Sequence, residues 1–279
     1  MFLDARVRLR RDAALAWAAG TLLAVGLVLP AYLLVRPSRA PAWGLSEVLA
    51  LTLFFVMAIP LLGSALFHTR PGVIPSLGAL AALTLIQNAG FAAAALYIIG
   101  VKYRLPLASL GLRVGAWPRR LWQGAAAAAA AVAGNTVGQS ATVYALTLVM
   151  GRQAASDLVA REEVRTPIYR ILPHVHERGE LVVLAVLVGV VVPAGEEVFF
   201  RGLALGALRR LMNRHLAALV SALFFAAAHL EPVEFLPIVL LGLILAYTYE
   251  YTGSLAPGMI AHGVNNLMAL VAFYQSPPP

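Results

Sequence analysis

Eight stretches of this chain carry almost no charge, at about 13 to 35, 45 to 68, 75 to 100, 124 to 150, 181 to 200, 216 to 230, 233 to 249 and 255 to 273. An α-helix needs about 20 apolar residues to cross a hydrocarbon core of about 30 Å. Each stretch is therefore a candidate span, and the sixth and seventh are short enough to predict helices that are tilted, partly re-entrant or enclosed by their neighbours. Composition agrees with this reading: 61% of residues are hydrophobic and 12% charged, where soluble domains carry roughly 25% charged residues. The expected fold class is all-α, a polytopic transmembrane helix bundle of about eight spans forming a single membrane domain over residues 1–279.

The formal net charge of +8 could suggest a nucleic-acid partner, but the Lys and Arg residues fall almost wholly in the connecting segments, as topology signals and contacts to lipid headgroups do. Counted on alternate sides of eight spans they divide into ten and eleven, so the positive-inside rule leaves the orientation open. The run from Ala13 to Val35 is too long for a signal-peptide core and reads as a retained first span. With no cysteine in the chain, disulfides and thiolate chemistry are excluded. Trp17, Trp43, Trp117 and Trp122 fall near span ends, where aromatic belts form. The connection from Gly151 to Glu180, with five arginines and five acids, is long enough for an amphipathic helix in the interface.

The two halves differ in the polar groups they place inside the spans. Residues 1–150, the N-terminal transmembrane helices, carry amides and hydroxyls: Gln87, Asn88, Asn135, Thr136, Gln139 and Ser140. Gly134 and Gly138 stand at GxxxG spacing, and poly-alanine runs from Ala125 to Ala131; both read as devices for close helix packing. The second half carries ionisable groups instead. A charge at mid-span costs roughly 2.5 to 3.5 kcal/mol on insertion scales, so such groups face the protein interior or a water-filled cavity.

The first of these groups lie in "PAGEEVFFRG", residues 193 to 202. Residues four apart share a helix face, so Glu197 and Arg201 are placed to pair while Glu196 points about 100° away. Glu197 with Arg201 is then an anchoring ion pair, and Glu196 a carboxylate open to tuning as a general base. Pro193 frees a carbonyl one turn back, and Gly195 leaves room beside the backbone. In "LFFAAAHLEP" Phe225 and His229 are again four apart, with only alanines between. In "PGMIAHGVNNLMAL" His262 and Asn266 share a face beside Gly263; a histidine and an amide pointing the same way suit a polar ligand or developing negative charge.

Taken in order, E-E-x-x-x-R, F-x-x-x-H and H-x-x-x-N on successive apolar segments resemble the CPBP family, the CAAX-protease and bacteriocin-processing membrane proteins, also called the Abi family, which includes the type II CAAX prenyl endopeptidases. The resemblance covers roughly residues 180–273, a C-terminal catalytic core. It implies an intramembrane endopeptidase acting on a peptide or a membrane-anchored protein, in the cell membrane and, for a chain of this composition, in a bacterial inner membrane. Glu196 and His229 would activate a water, and His262 and Asn266 would stabilise the oxyanion, with Glu197, Arg201 and Phe225 in support. A metal-independent reaction without cofactor is preferred. Glu196, His229 and His262 would also form a zinc set with an open position for water. The alternatives are a non-catalytic binding, immunity or scaffold protein of the same fold, and a proton-coupled transporter relaying through Glu196 and His229.

Overall fold

The computed structural model describes residue 32, residues 42–58 and residues 76–275. The first uncharged stretch apart from residue 32, Trp17 and the later part of the second stretch lie outside the described residues. Among the described residues the chain is helical throughout. Its main elements are α1 (Leu45–Thr52), α2 (Leu77–Leu96), α3 (Trp117–Met150) and α4 (Arg152–Arg165), followed by α5 (Arg178–Leu208), α6 (Arg214–His229), α7 (Phe235–Thr252) and α8 (Leu255–Gln275). Helix α2 runs on through a wider turn to Lys102.

Four of these, α2 with its extension, α5, α7 and α8, are long and apolar enough to cross a membrane. The expectation of about eight spans therefore reduces to four among the described residues, with α6 a shorter apolar helix. Helix α3 is long at 34 residues, but alanine, glycine and the amides of its middle make it less apolar than a lipid-facing span. The protein is a multi-pass membrane helix bundle. Many large apolar side chains are exposed on its outside, among them Leu85, Ile86, Val182, Val190 and Val271, as contact with lipid tails requires.

Local sequence sets the helix ends. Asn213 caps α6, its side-chain oxygen accepting from the backbone N–H groups of His215 and Leu216 at 3.1 and 3.0 Å, which satisfies two donors that the first turn leaves free. Helix α7 stops at Gly253, whose φ of 60° is the left-handed conformation that glycine adopts without steric cost.

Packing of α3 follows its glycines. A Cβ at Gly138 would stand 2.7 Å from the Pro237 backbone, and one at Gly134 would stand 2.8 Å from Ile244, so both faces of the GxxxG pair lie against α7. Gly124 does the same against Ile260 of α8. The core between α2, α5 and α6 is aromatic. Phe91 stacks on Phe199 at 4.4 Å between ring centroids, Phe199 meets Phe200 at 4.9 Å, and Phe200 meets Phe225 edge-on at 4.9 Å.

Trp43 departs from the belt reading. It is buried, its indole N–H donates to the Leu203 carbonyl at 2.9 Å, and Arg210 lies over its ring at 4.2 Å. The indole thus pins α1's entry to the end of α5. By contrast, Trp117 and Trp122 are exposed.

Candidate active site

Helix α5 carries the two glutamates, and it is irregular on both sides of them. Wider turns, in which the hydrogen bonds span five residues rather than four, occupy Leu187–Val191 and Glu197–Leu205. Single wide turns of this kind commonly mark functional sites. In such a turn the Val188 carbonyl would accept from residue 193, but Pro193 has no N–H. The Asn266 side-chain amide takes its place, donating to the Val188 oxygen at 3.0 Å. The carbonyl that the proline orphans is therefore satisfied from α8, and α5 and α8 are joined at the level of the motif.

Two glycines allow that approach. A Cβ on Gly263 would fall 2.2 Å from the Gly189 carbonyl oxygen, and one on Gly189 would strike Leu267 at 2.9 Å. On the other face of α5, a Cβ on Gly195 would meet Asn88 of α2 at 2.6 Å. Asn88 is buried. Its amide N–H donates to the Thr84 carbonyl at 3.0 Å, while its side-chain oxygen has no hydrogen-bond partner. Sequence reasoning classed Asn88 with the packing amides; its contact with the residue just before Glu196 depends on a pairing of α2 with α5 that spacing does not show.

Glu197 and Arg201 pair as expected, Arg201 Nη1 donating to Glu197 Oε1 at 2.9 Å with both side chains almost wholly buried. Arg201 Nη2 also donates to the Gly242 carbonyl of α7 at 3.3 Å, and its guanidinium lies 4.3 Å from the Phe225 ring centre. The same Glu197 oxygen faces His262 Nδ1 at 3.2 Å. His262 Nε2 points the other way, 3.7 Å from Glu196 Oε2. One imidazole thus stands between both glutamates.

Not every carboxylate oxygen is satisfied. Glu196 Oε2 and Glu197 Oε2 are buried without a hydrogen-bond partner, an arrangement costly enough that native proteins rarely keep it without use. His229 is held separately. Its Nδ1 lies 2.8 Å from the Phe225 carbonyl oxygen; a carbonyl only accepts, so Nδ1 carries the hydrogen, and in the neutral ring Nε2 presents a lone pair. The Phe225 ring meets His229 at 4.7 Å and His262 at 5.7 Å, edge-on in both cases.

Glu196, Glu197, Arg201, Phe225 and His262 therefore form one contiguous cluster, with His229 attached through Phe225 and Asn266 one turn along α8. Among the described residues, no hydrogen bond or ion pair joins His229 to Glu196, and Asn266 is engaged with the α5 backbone. Of the zinc set, Glu196 and His262 lie together, while His229 makes no hydrogen bond or ion pair to either among the described residues. Among the described residues, no three His, Asp or Glu side chains are gathered closely enough to hold an ion.

The family model for the type II CAAX prenyl endopeptidases, Rce1-like, matches residues 178–268. That segment is Rce1-like. It covers about a third of the chain, beginning where α5 begins and ending within α8, and it contains all seven motif residues. The match likens residues 178–268 to a family of membrane proteases. No curated protein and no solved structure gives a significant match to the chain.

Proposed function

We propose that the protein is an intramembrane endopeptidase that hydrolyses a peptide bond in a peptide or membrane-anchored protein, in the cell membrane and specifically a bacterial inner membrane. The observation that carries this reading is the buried Glu196 Oε2, without a hydrogen-bond partner and 3.7 Å from His262 Nε2, in a segment matched by the Rce1-like family model that also holds His229. Glu196 removes a proton from water as the oxygen attacks the scissile carbonyl. His229, with Nε2 free, accepts or relays that proton and returns it to the departing amine nitrogen as the C–N bond breaks. His262, held by Glu197, and the second amide N–H of Asn266 donate to the tetrahedral oxyanion. Arg201 neutralises Glu197, so the pair orients His262 without adding net charge to the site. No step needs a metal.

The test is cleavage of a quenched fluorescent peptide by the full chain in detergent. Glu196→Ala and His229→Ala are each expected to lose at least about 10²-fold in rate, the usual contribution of a general base, while keeping helix content and Tm. Parental rates in both variants would end the proposal.

The occupied Asn266 amide favours a second reading, a non-catalytic binding or immunity protein of the same fold. Full biological activity in Glu196→Gln, which keeps the shape but not the base, would select it.

A further inference from the structure

We infer that a groove between α3, α4 and α8 is a binding site for an extended peptide segment, and that Asn265 is the residue that recognises its backbone. This rests on the endopeptidase reading and names where that enzyme's substrate lies.

The groove encloses about 840 Å³, within the range of roughly 300 to 1,000 Å³ typical of ligand sites. Its α8 wall is the stripe Asn265, Ala269 and Ala272. Stepping back three residues along that stripe gives His262, so the groove runs along the same face of α8 that presents the imidazole to Glu196 and Glu197. At its side the groove shares Val159, Glu163 and Tyr169 with a cleft of about 20 Å³ that reaches Glu231, Val233 and Glu234, the connection that follows His229. The groove and the cleft thus adjoin the helix that carries His262 and the connection that follows His229.

Asn265 decides what the groove holds. It is 6% exposed, lines the groove, and makes no hydrogen bond to the described residues. Its amide opens onto the groove, so an occupant that supplies a donor or an acceptor there is favoured over one that does not. Asn135, Gln139 and Ser156 add two amides and a hydroxyl, Arg152 and Glu163 add one charge of each sign, and most of the rest is apolar. A lipid tail would offer nothing to these polar groups. A helical segment satisfies its own backbone. An extended segment inside a membrane needs external partners for its N–H and C=O groups, and these walls offer them together with room for small side chains.

The probe is a fluorescein-labelled, end-blocked peptide of alternating alanine and valine with lysines at both ends, bound to the full-length Glu196→Gln chain in detergent and followed by anisotropy. Ala269→Trp, which fills the groove, is expected to weaken binding at least 10-fold. Asn265→Leu, which keeps the volume and removes the amide, is expected to weaken it about 5- to 10-fold, the scale of one hydrogen bond, with helix content unchanged. Binding unaffected by both variants overturns the groove assignment, as does loss of a co-purifying phospholipid in Ala269→Trp with peptide binding intact. Cleavage by the Glu196 parent separates the two proposals. A peptide that binds with this mutational pattern yet is never cut sinks the protease reading and leaves the groove. A peptide cut with unchanged KM by both groove variants sinks the groove and leaves the protease.

Discussion

Two buried acidic sites in this molecule invite comparison. Near the start of α1, Glu47 is 5% exposed and receives four donors: Lys102 Nζ at 2.9 Å and the Tyr103 hydroxyl at 2.6 Å on one oxygen, and the Ser46 hydroxyl at 2.8 Å and the Gly44 N–H at 3.1 Å on the other. In α5, Glu197 spends one oxygen on Arg201 and His262 and leaves the other unpaired, as Glu196 also does with Oε2. Both sites are buried and both carry a cation. Burial and ion pairing therefore do not distinguish a structural acid from a chemical one; the lone pairs left without partners do. The first site ties α1 to the end of α2, and the second holds acceptors ready in a helix whose backbone is already irregular.

The largest effect that would sharpen this contrast is expected at Arg201. Replacing it with Leu leaves Glu197 buried without its cation, which costs about 3–5 kcal/mol and should abolish the folded protein, as read by loss of the monodisperse peak in size-exclusion chromatography. Gly263→Ala comes next. Its Cβ would collide with the Gly189 carbonyl, and forcing α5 and α8 apart is expected to cost about 1–3 kcal/mol. It should also lower the cleavage rate, because His262 and Glu196 sit on those two helices. Glu47→Gln should cost a similar 1–3 kcal/mol through its charged hydrogen bonds but leave kcat/KM of the surviving fold within about twofold. An activity loss at Glu47 as large as at Glu196 would break the comparison.

How much of this was legible in the sequence can be traced residue by residue. The Glu197–Arg201 pair and the Gly134–Gly138 packing depend on helical periodicity alone, and both appear where the spacing put them. Motif order likewise located the cluster, because each apolar segment offered few ionisable residues. What spacing could not show are contacts between helices far apart in the chain: Asn266 replacing the missing N–H of Pro193, Asn88 against Gly195, and Trp43 buried on Leu203. The count of about eight spans is not reached among the described residues for a related reason, since uncharged length does not separate α3, with its alanines and amides, from a lipid-facing helix. Asn265, next to Asn266 and His262, was given no role of its own, because adjacent residues on a helix face different surroundings and the sequence does not say which.

A smaller effect tests the surroundings of His229. Burial pushes the Glu231 carboxyl above its ordinary range, against the opposing pull of His229 and of the Thr166 hydroxyl, with Glu162 adding to the rise. A carboxyl that binds its proton more tightly in the folded chain than in the unfolded one loses stability as pH rises from the ordinary value toward the raised one. Glu231→Gln should therefore match the parent Tm near pH 4 and exceed it at pH 8 in thermal scans. The reverse order would show that Glu231 is stabilised as an anion. The smallest change is expected from metal removal. Dialysis against a strong chelator should alter the cleavage rate less than about twofold, because among the described residues three metal ligands do not gather at the site and a catalytic zinc requires three.

The most direct measurement is a single-turnover comparison of Glu196→Gln with the parent chain, using one peptide and recording binding and cleavage separately. The account predicts equal peptide affinity and a cleavage rate at least about 10² lower in the variant. Cleavage at the parental rate by a folded Glu196→Gln chain would show that the unpaired carboxylate is not the base, and would contradict the account at its centre.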